Sequence, residues 1–171
     1  MRRREIIQLV GATGVASIAG CLGSSPETQG NDDSPIELES DELLPSADLF
    51  GDEWDQHDDE PTGIHPVDLE GNSASTSFVT SNGEEAINVE VTTFDSVDGA
   101  MSGYQEMRDW DFEGGDGEDL DIASEAHLIE VGSVYVYFRD ANVIGSIEHV
   151  TRGSSNSTEY AANWHETWRD S

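Results

Sequence analysis

Carboxylates and imidazoles are the side chains that this sequence arranges in patterns with chemical meaning. The segment Glu113 to Asp119 mixes acids with glycines, and oxygen ligands on a turning backbone suit Ca²⁺. The run Asp55 to Glu60, which contains His57 and is followed by His65, offers oxygen and nitrogen ligands for a divalent metal. Neither run has the spacing of an EF-hand loop or of a helical histidine pair. In a chain this acidic we predict solvated surface at both runs, with a bound metal as the alternative.

The histidines and the potential nucleophiles do not form a catalytic motif. His127 and His149 fall on segments that we expect to be neighbouring strands, so they could approach each other, although half-buried structural positions are the simpler interpretation. The sequence has no Gly-x-Ser-x-Gly turn, no lysine for a Schiff base and no phosphate loop ending in Gly-Lys. We therefore predict no catalytic residue and no cofactor.

The first residues have the features of an export signal. Arg2, Arg3 and Arg4 precede a mildly apolar run from Ile6 to Ala19 that is rich in small residues. This run is too short to span a bilayer stably as a helix. It leads into Ile-Ala-Gly followed by Cys21, which is the only cysteine in the chain.

These residues resemble the signal of a haloarchaeal membrane lipoprotein exported by the twin-arginine route. Arg3 and Arg4 match the arginine pair, and Ile6 matches the bulky apolar residue two positions later, whereas Arg2 stands where Ser or Thr is usual. The tetrapeptide that ends in Cys21 is similar to a lipobox. The resemblance implies cleavage before Cys21, a lipid on its thiol, and anchoring to the outer face of the cell membrane. It covers the signal and the composition, and it does not identify the folded domain.

The overall charge is consistent with this resemblance. The chain has no lysine, and cleavage before Cys21 would leave four of its seven arginines against 36 of its 37 acidic residues, a formal net charge of −32. Such a charge destabilises a compact state by self-repulsion. At ~1 M salt the Debye length is about 3 Å, so most of that repulsion is screened. The composition is therefore typical of a halophile, and it argues against nucleic acid as a partner.

The single cysteine excludes several kinds of site. A disulfide within the domain and a multi-cysteine zinc or iron–sulfur site are impossible. A blue-copper centre needs a cysteine thiolate inside the folded domain. Since Cys21 belongs to the anchor, that class is excluded too.

The composition predicts three regions. Residues 1–20 form the export signal peptide, residues 21–40 the lipidated Cys21 with a flexible tether, and residues 41–171 a single globular domain. A tether of this length has a coil dimension of roughly 25 Å. The triplet Asn156-Ser157-Thr158 fits the acceptor pattern for N-glycosylation and makes Asn156 a candidate glycosylation site.

Periodicity and turn residues predict the elements of the domain. We expect a helical turn at 46–50, an edge strand from Trp54, a hairpin at Asn82-Gly83 with a return strand from Ala86 to Phe94, a helix from Val97 capped by Asp95 or Ser96, strands at Ala126 to Val131, Val134 to Arg139 and Val143 to Val150, and a last helix from Glu159 to Asp170. The core stripes of the two helices are Val97, Ala100, Met101, Tyr104 and Met107, and then Tyr160, Ala161, Trp164 and Trp168. Arg139 is expected to form a structural ion pair. This order predicts an α+β fold: an antiparallel sheet of about five to six strands with helices packed mainly on one face.

Two functional classes remain open. The lack of a catalytic pattern favours a membrane-anchored extracytoplasmic lipoprotein that is a non-enzymatic binding or interaction module. Its partners would be the membrane, through the lipid on Cys21, and an envelope protein or a small ligand. The alternative is a small metal-dependent or acid/base hydrolase at the cell surface.

Overall fold

The computed structural model describes residues 34–57, Ile64, and residues 67–110, 117–151 and 156–169. The chain separates into two units, Met1–Gly30 and Asn31–Ser171, and the first lies outside the described residues. The described elements are 3₁₀ helices at Ser40–Leu43 and Ala47–Leu49, strands β1 Trp54–His57, β2 Asn72–Thr80, β3 Ala86–Thr93, β4 Gly117–Asp119, β5 Glu125–Val131, β6 Ser133–Asp140 and β7 Val143–Val150, and helices α1 Val97–Asp109 and α2 Ser157–Arg169.

The strands form one antiparallel sheet in the order β1-β2-β3-β7-β6-β5-β4. The α+β class and the antiparallel sheet are confirmed, but the expected five to six strands are corrected to seven within the described ranges. The additional strand is β4, which pairs with β5 at the edge of the sheet. Its sequence Gly-Glu-Asp has no apolar alternation, so nothing in the pattern distinguishes it from a loop. Short, charged edge strands of this kind also discourage pairing with other chains.

Both helices begin and bury their faces much as the sequence predicts. Ser96 caps α1, since its side-chain oxygen accepts a hydrogen bond from the Gly99 amide at 3.1 Å. Ala100, Tyr104 and Met107 are buried along α1, whereas Met101 is 49% exposed and does not belong to the core. The stripe of α2 is buried at Ala161, Trp164 and Trp168, while Tyr160 is partly buried against the same core.

The two helices cover opposite faces of the sheet, so the expectation that helices pack mainly on one face is not met for this pair. Trp164 and Trp168 of α2 share a core with Phe138, whereas Tyr104 of α1 shares a second core with Tyr137. Because neighbouring strand residues point to opposite faces, these two clusters lie on the two sides of β6. The "α2 face" and the "α1 face" below refer to these two sides.

The α2 face contains the larger apolar core, and one glycine makes close packing there feasible. The rings of Phe138 and Trp168 stack with centroids 4.9 Å apart at 28°. A Cβ at Gly145 of β7 would lie 2.6 Å from the Phe138 ring and 2.9 Å from Trp168. These rings can therefore lie against β7 only because position 145 has no side chain.

The folded part begins before residue 41. The Ile36 amide donates to the Asn142 side-chain oxygen at 2.7 Å, and the Asn142 side-chain nitrogen donates to the Phe94 carbonyl at 2.9 Å. Ile36 and Leu38 also pack against the main core. Residues 36–40, which the sequence places in the tether, thus contact the folded domain next to the β6–β7 turn.

Candidate functional site

A row of polar side chains crosses four adjacent strands on the α1 face. The register places Ser77 of β2, Asn88 of β3, Glu148 of β7 and Tyr135 of β6 side by side. The Ser77 hydroxyl donates to the Asn88 side-chain oxygen at 2.9 Å, and the Asn88 side-chain nitrogen donates to Glu148 Oε2 at 2.8 Å. From the other side, the Tyr135 hydroxyl donates to Glu148 Oε1 at 2.8 Å. We call these four residues the Glu148 row.

The hydrogen bonds of the Glu148 row all run towards the carboxylate. Each oxygen of Glu148 accepts one donor, and the carboxylate is half-buried. The arginines of the described ranges lie elsewhere and pair with other acids: Arg108 with Asp119, Arg139 with Glu125, and Arg169 with Asp140. Glu148 is therefore held in place by neutral donors and has no ion-pair partner among the described residues.

Two tyrosines form a wall beside the carboxylate. The rings of Tyr135 and Tyr137 stack with centroids 6.2 Å apart at 20°. Burial, together with the hydrogen bond to Glu148, raises the pKa of Tyr135 to about 12. The phenol of Tyr135 is consequently neutral at any physiological pH and remains a hydrogen-bond donor.

A second row of side chains on the α1 face lies two residues along the strands from the Glu148 row, on the side of the buried core. It consists of Ser75, Glu90, Ser146 and Tyr137 on the same four strands. Ser146 is 0% exposed, and its hydroxyl makes no hydrogen bond to the described part of the chain. A buried hydroxyl without a partner costs free energy, and native proteins usually satisfy such a group with water or a ligand. The surface is thus half-open at the Glu148 row and closed at Ser146.

A second polar cluster lies at the β2–β3 hairpin end of the sheet, on the α2 face. His149 Nδ1 is 3.2 Å from the Ser157 hydroxyl, and His149 Nε2 is 3.1 Å from Glu85 Oε2. Trp54 and Tyr160 pack their rings around the same imidazole. Glu85 also lines a small acidic cavity of about 130 Å³, together with Glu53, Thr80, Ser81, Asn82 and Glu84.

This second cluster has the acid–imidazole–hydroxyl order of a serine hydrolase. Its hydroxyl, however, is buried, whereas the nucleophile of a hydrolase must be open to substrate. Ser157 is 1% exposed and His149 is 2% exposed. Both imidazole nitrogens already face protein partners. A substrate carbonyl therefore has no path to the Ser157 oxygen in this structure, and the cluster serves to attach the start of α2 to β7 and the hairpin.

The predicted site residues are placed as follows. Cys21, Arg3 and Arg4 lie outside the described residues. Asn156 is exposed directly before α2, where its carbonyl accepts a hydrogen bond from the Tyr160 amide, and its glycosylation stays a prediction. The ion pair expected for Arg139 is confirmed, with Arg139 Nε 2.7 Å from Glu125 Oε2.

The approach of His127 and His149, which the sequence left open as an alternative, does not occur. β6 separates their strands, and the two side chains lie on opposite faces of the sheet. His127 contacts Asp119 at 3.0 Å on the α1 face. Each histidine therefore has its own carboxylate partner, which agrees with the structural interpretation.

The two candidate metal runs are described only in part. Residues 58–60, His65 and residues 111–116 lie outside the described ranges. Inside those ranges, no three His, Cys, Asp or Glu side chains lie together in positions suited to a metal ion. Of the helices that the structure describes, none has the length and apolar character to cross a membrane.

Sequence reasoning missed the Glu148 row, although part of its signal is visible. The odd positions of β2 and the even positions of β3 are polar at Ser75, Ser77, Asn88 and Glu90, and a hairpin places them on one face. In an acidic chain the same pattern describes any solvated strand face. The row becomes recognisable only when β7 is placed beside β3.

Comparison with known proteins leaves the family open. No protein-family model matches the chain, and no curated protein sequence matches it. A solved GTP-binding regulator from Thermotoga maritima is similar at 14% identity and a TM-score of 0.49, covering 77% of this chain and 85% of that one. The extracellular domain of PknH from Mycobacterium tuberculosis is similar at 14% identity and a TM-score of 0.48, covering 83% of this chain and 100% of that one. Likenesses at this level carry no argument about function.

Proposed function

We propose that this protein is a lipid-anchored extracytoplasmic binding module of a halophile, and that it holds a small polar ligand on the α1 face at the Glu148 row. One observation carries the binding role: the Glu148 carboxylate is fixed by Asn88 and Tyr135, is partly open to solvent, and lacks a cationic partner among the described residues. Groups that are ordered before the ligand arrives lose little entropy on binding, so a preformed row of this kind favours affinity.

The position of the row along the strands suits a tethered domain. Ile36, near the start of the described residues, lies beside Asn142 at one end of β7. The Asn88–Glu148 pair lies five positions along the strands from the Thr93–Val143 pair at that end, a distance of about 17 Å. Ile36 and the Glu148 row therefore lie at different positions along the strands.

Thermal unfolding of the full-length chain in ~2 M KCl tests the binding role. We expect at least one member of a panel of cationic, neutral and anionic small polar solutes to raise the midpoint by several degrees, since a ligand at one hundred times its Kd adds about 2.7 kcal/mol. Glu148→Gln should abolish this rise. The exposed Glu130→Gln on β5 is the matched control and should keep it. A rise that is equal in all three proteins would contradict a site at Glu148.

Anchoring makes a separate prediction. Expressed in a halophilic archaeal host, the wild type should sediment with membranes and be released by detergent, because a lipid on the Cys21 thiol holds it there. Cys21→Ser should appear in the medium, since export does not need the thiol. A double change of Arg3 and Arg4 to Lys should retain the protein inside the cell. Membrane association of Cys21→Ser at the wild-type level would refute the lipid anchor.

The second candidate is the small hydrolase at the cell surface. The Glu85–His149–Ser157 contacts favour it, because an acid, an imidazole and a hydroxyl in this order can activate a serine nucleophile. The burial of Ser157 weighs against it. A fluorophosphonate probe that labels the wild type and not Ser157→Ala would establish the hydrolase, and we expect no labelling of either protein.

A further inference from the structure

We propose that the ligand of the Glu148 row carries a primary ammonium group, an inference that rests on the binding role proposed above. It depends on the direction of the hydrogen bonds in the row, on the charge of its central residue, and on the aromatic wall next to it. Each of these features selects between ligand classes.

The first argument is the surplus of hydrogen-bond acceptors. Tyr135 on one side and Asn88 on the other donate to Glu148, and Ser77 donates to Asn88, so the donors of the row point towards the carboxylate. A carboxylate has about four lone-pair positions, and Glu148 uses two of them. The Glu148 carboxylate can therefore accept further hydrogen bonds from a ligand. A ligand that presents several N–H donors fits this surface, whereas one that presents mainly acceptors does not.

The second argument is charge. A half-buried carboxylate with neutral partners alone attracts a cation, because charge-assisted hydrogen bonds are about twice as strong as neutral ones. The three arginines in the described ranges are committed to Asp119, Glu125 and Asp140, and the chain has no lysine. No described side chain is thus available to supply this cation, and an external ammonium can. At 1 M salt the Debye length is about 3 Å, and screening removes mainly the interactions between charges that lie further apart than this length. An ammonium in hydrogen-bond contact with the carboxylate is therefore screened little.

The third argument is the shape of the surface. The ring of Tyr135, which stacks on the buried Tyr137, lies beside the carboxylate, and an aromatic face within about 6 Å attracts a cation. Ser146 lies on the same face, one pair further inwards, with a fully buried hydroxyl that has no hydrogen-bond partner in the described structure. This hydroxyl is closed to solvent in the structure, so the ammonium contacts the half-open Glu148 carboxylate, and a second polar group of the ligand reaches Ser146 only when the α1 face opens between them. A small amino alcohol can supply both groups.

Isothermal titration of the full-length chain with three matched probes tests the inference. Ethanolammonium carries the ammonium and a hydroxyl, ethylene glycol is its neutral counterpart, and tetramethylammonium carries the charge without N–H donors. We expect saturable binding of ethanolammonium, with ethylene glycol and tetramethylammonium at least about tenfold weaker. Glu148→Gln should weaken ethanolammonium about tenfold or more, Tyr135→Leu should weaken it less, and Glu130→Gln should leave it unchanged.

The outcomes separate this inference from the binding role itself. Ethylene glycol that binds as tightly as ethanolammonium, and loses its affinity in Glu148→Gln, would overturn the ammonium and leave a polar binding site at the row. Ethanolammonium binding that Glu148→Gln does not change would place the ammonium elsewhere and overturn the inference. If neither these probes nor the anion glycolate binds the folded wild type, the ammonium and the binding role both fail.

Discussion

Replacing Trp164 by alanine is expected to cost about 3–5 kcal/mol of folding free energy, the usual range for a buried aromatic residue. Trp164 is 0% exposed and packs edge-on against Phe138 at 5.2 Å and Trp168 at 5.4 Å. Its ring nitrogen donates to the Leu43 carbonyl at 2.7 Å. The substitution therefore opens a cavity between α2 and the sheet and also leaves a buried carbonyl without its donor.

Such a loss is a large part of the roughly 5–15 kcal/mol that stabilises a domain. Thermal unfolding in ~2 M KCl should show a midpoint lowered by about 10–20 °C. Trp110→Ala is the control, since Trp110 is 42% exposed, and it should shift the midpoint by only a few degrees. Equal shifts for the two variants would mean that α2 does not pack on the sheet as described.

Replacing Asp140 by asparagine is expected to be the next most damaging change. Asp140 is buried at the end of β6, where it accepts hydrogen bonds from His165 at 2.8 Å and Arg169 at 2.8 Å on one oxygen and from Ser124 at 3.0 Å on the other. It thereby attaches the last turns of α2 to the sheet. Removing its charge leaves Arg169 next to a neutral amide, and because Arg169 is 32% exposed we expect a loss of about 2 kcal/mol, below the 3–5 kcal/mol of a fully buried pair.

The same carboxylate gives a defined dependence on pH. Burial alone would raise its pKa, but the hydrogen bonds from His165 and Arg169, with the charge of Arg169, outweigh burial and lower the pKa from 3.8 to about 2. A depressed carboxylate pKa contributes stability that is complete above the unfolded value and is lost as the pH falls towards the folded value. This contribution is about 2 kcal/mol, and its window runs from about pH 4 down to about pH 2.

Urea unfolding of the wild type and of Asp140→Asn at pH 7, 5, 3 and 2 measures this effect. The difference in unfolding free energy between the two proteins at pH 5 should narrow at pH 3 and narrow further at pH 2. The exposed Asp121→Asn is the control for the general protonation of this acidic chain, and its difference from the wild type should stay small throughout. If the difference in unfolding free energy between the wild type and Asp140→Asn stays the same down to pH 2, the depressed pKa of Asp140 is contradicted.

The local elements of this fold could be predicted because their signals are short in sequence. Apolar alternation defines β3 at Ile87, Val89 and Val91, all of which are buried, and the Ser96 cap defines the start of α1. The aromatic spacing of Trp164 and Trp168 defines the buried face of α2. In each case residues within a few positions of one another decide the outcome.

The arrangement of these elements could not be predicted, since it depends on distant pairs. Asn88 and Glu148 are 60 positions apart, and only the pairing of β3 with β7 brings them together. Helices α1 and α2 have similar amphipathic patterns, and such a pattern does not determine which face of the sheet the helix will cover. β4 has no stripe at all, so its pairing with β5 follows from the structure alone.

Nuclear magnetic resonance of the labelled full-length chain tests the central claim most directly. Ethanolammonium, ethylene glycol and glycolate would be added in turn, and the amide signals of the protein followed. A ligand on the α1 face should shift the backbone amides of Asn88, Tyr135 and Glu148 and the side-chain amide of Asn88 most, with Ser146 next. Shifts centred on the hairpin residues 81–85, or no localised shift with any of the three solutes, would contradict a binding site at the Glu148 row.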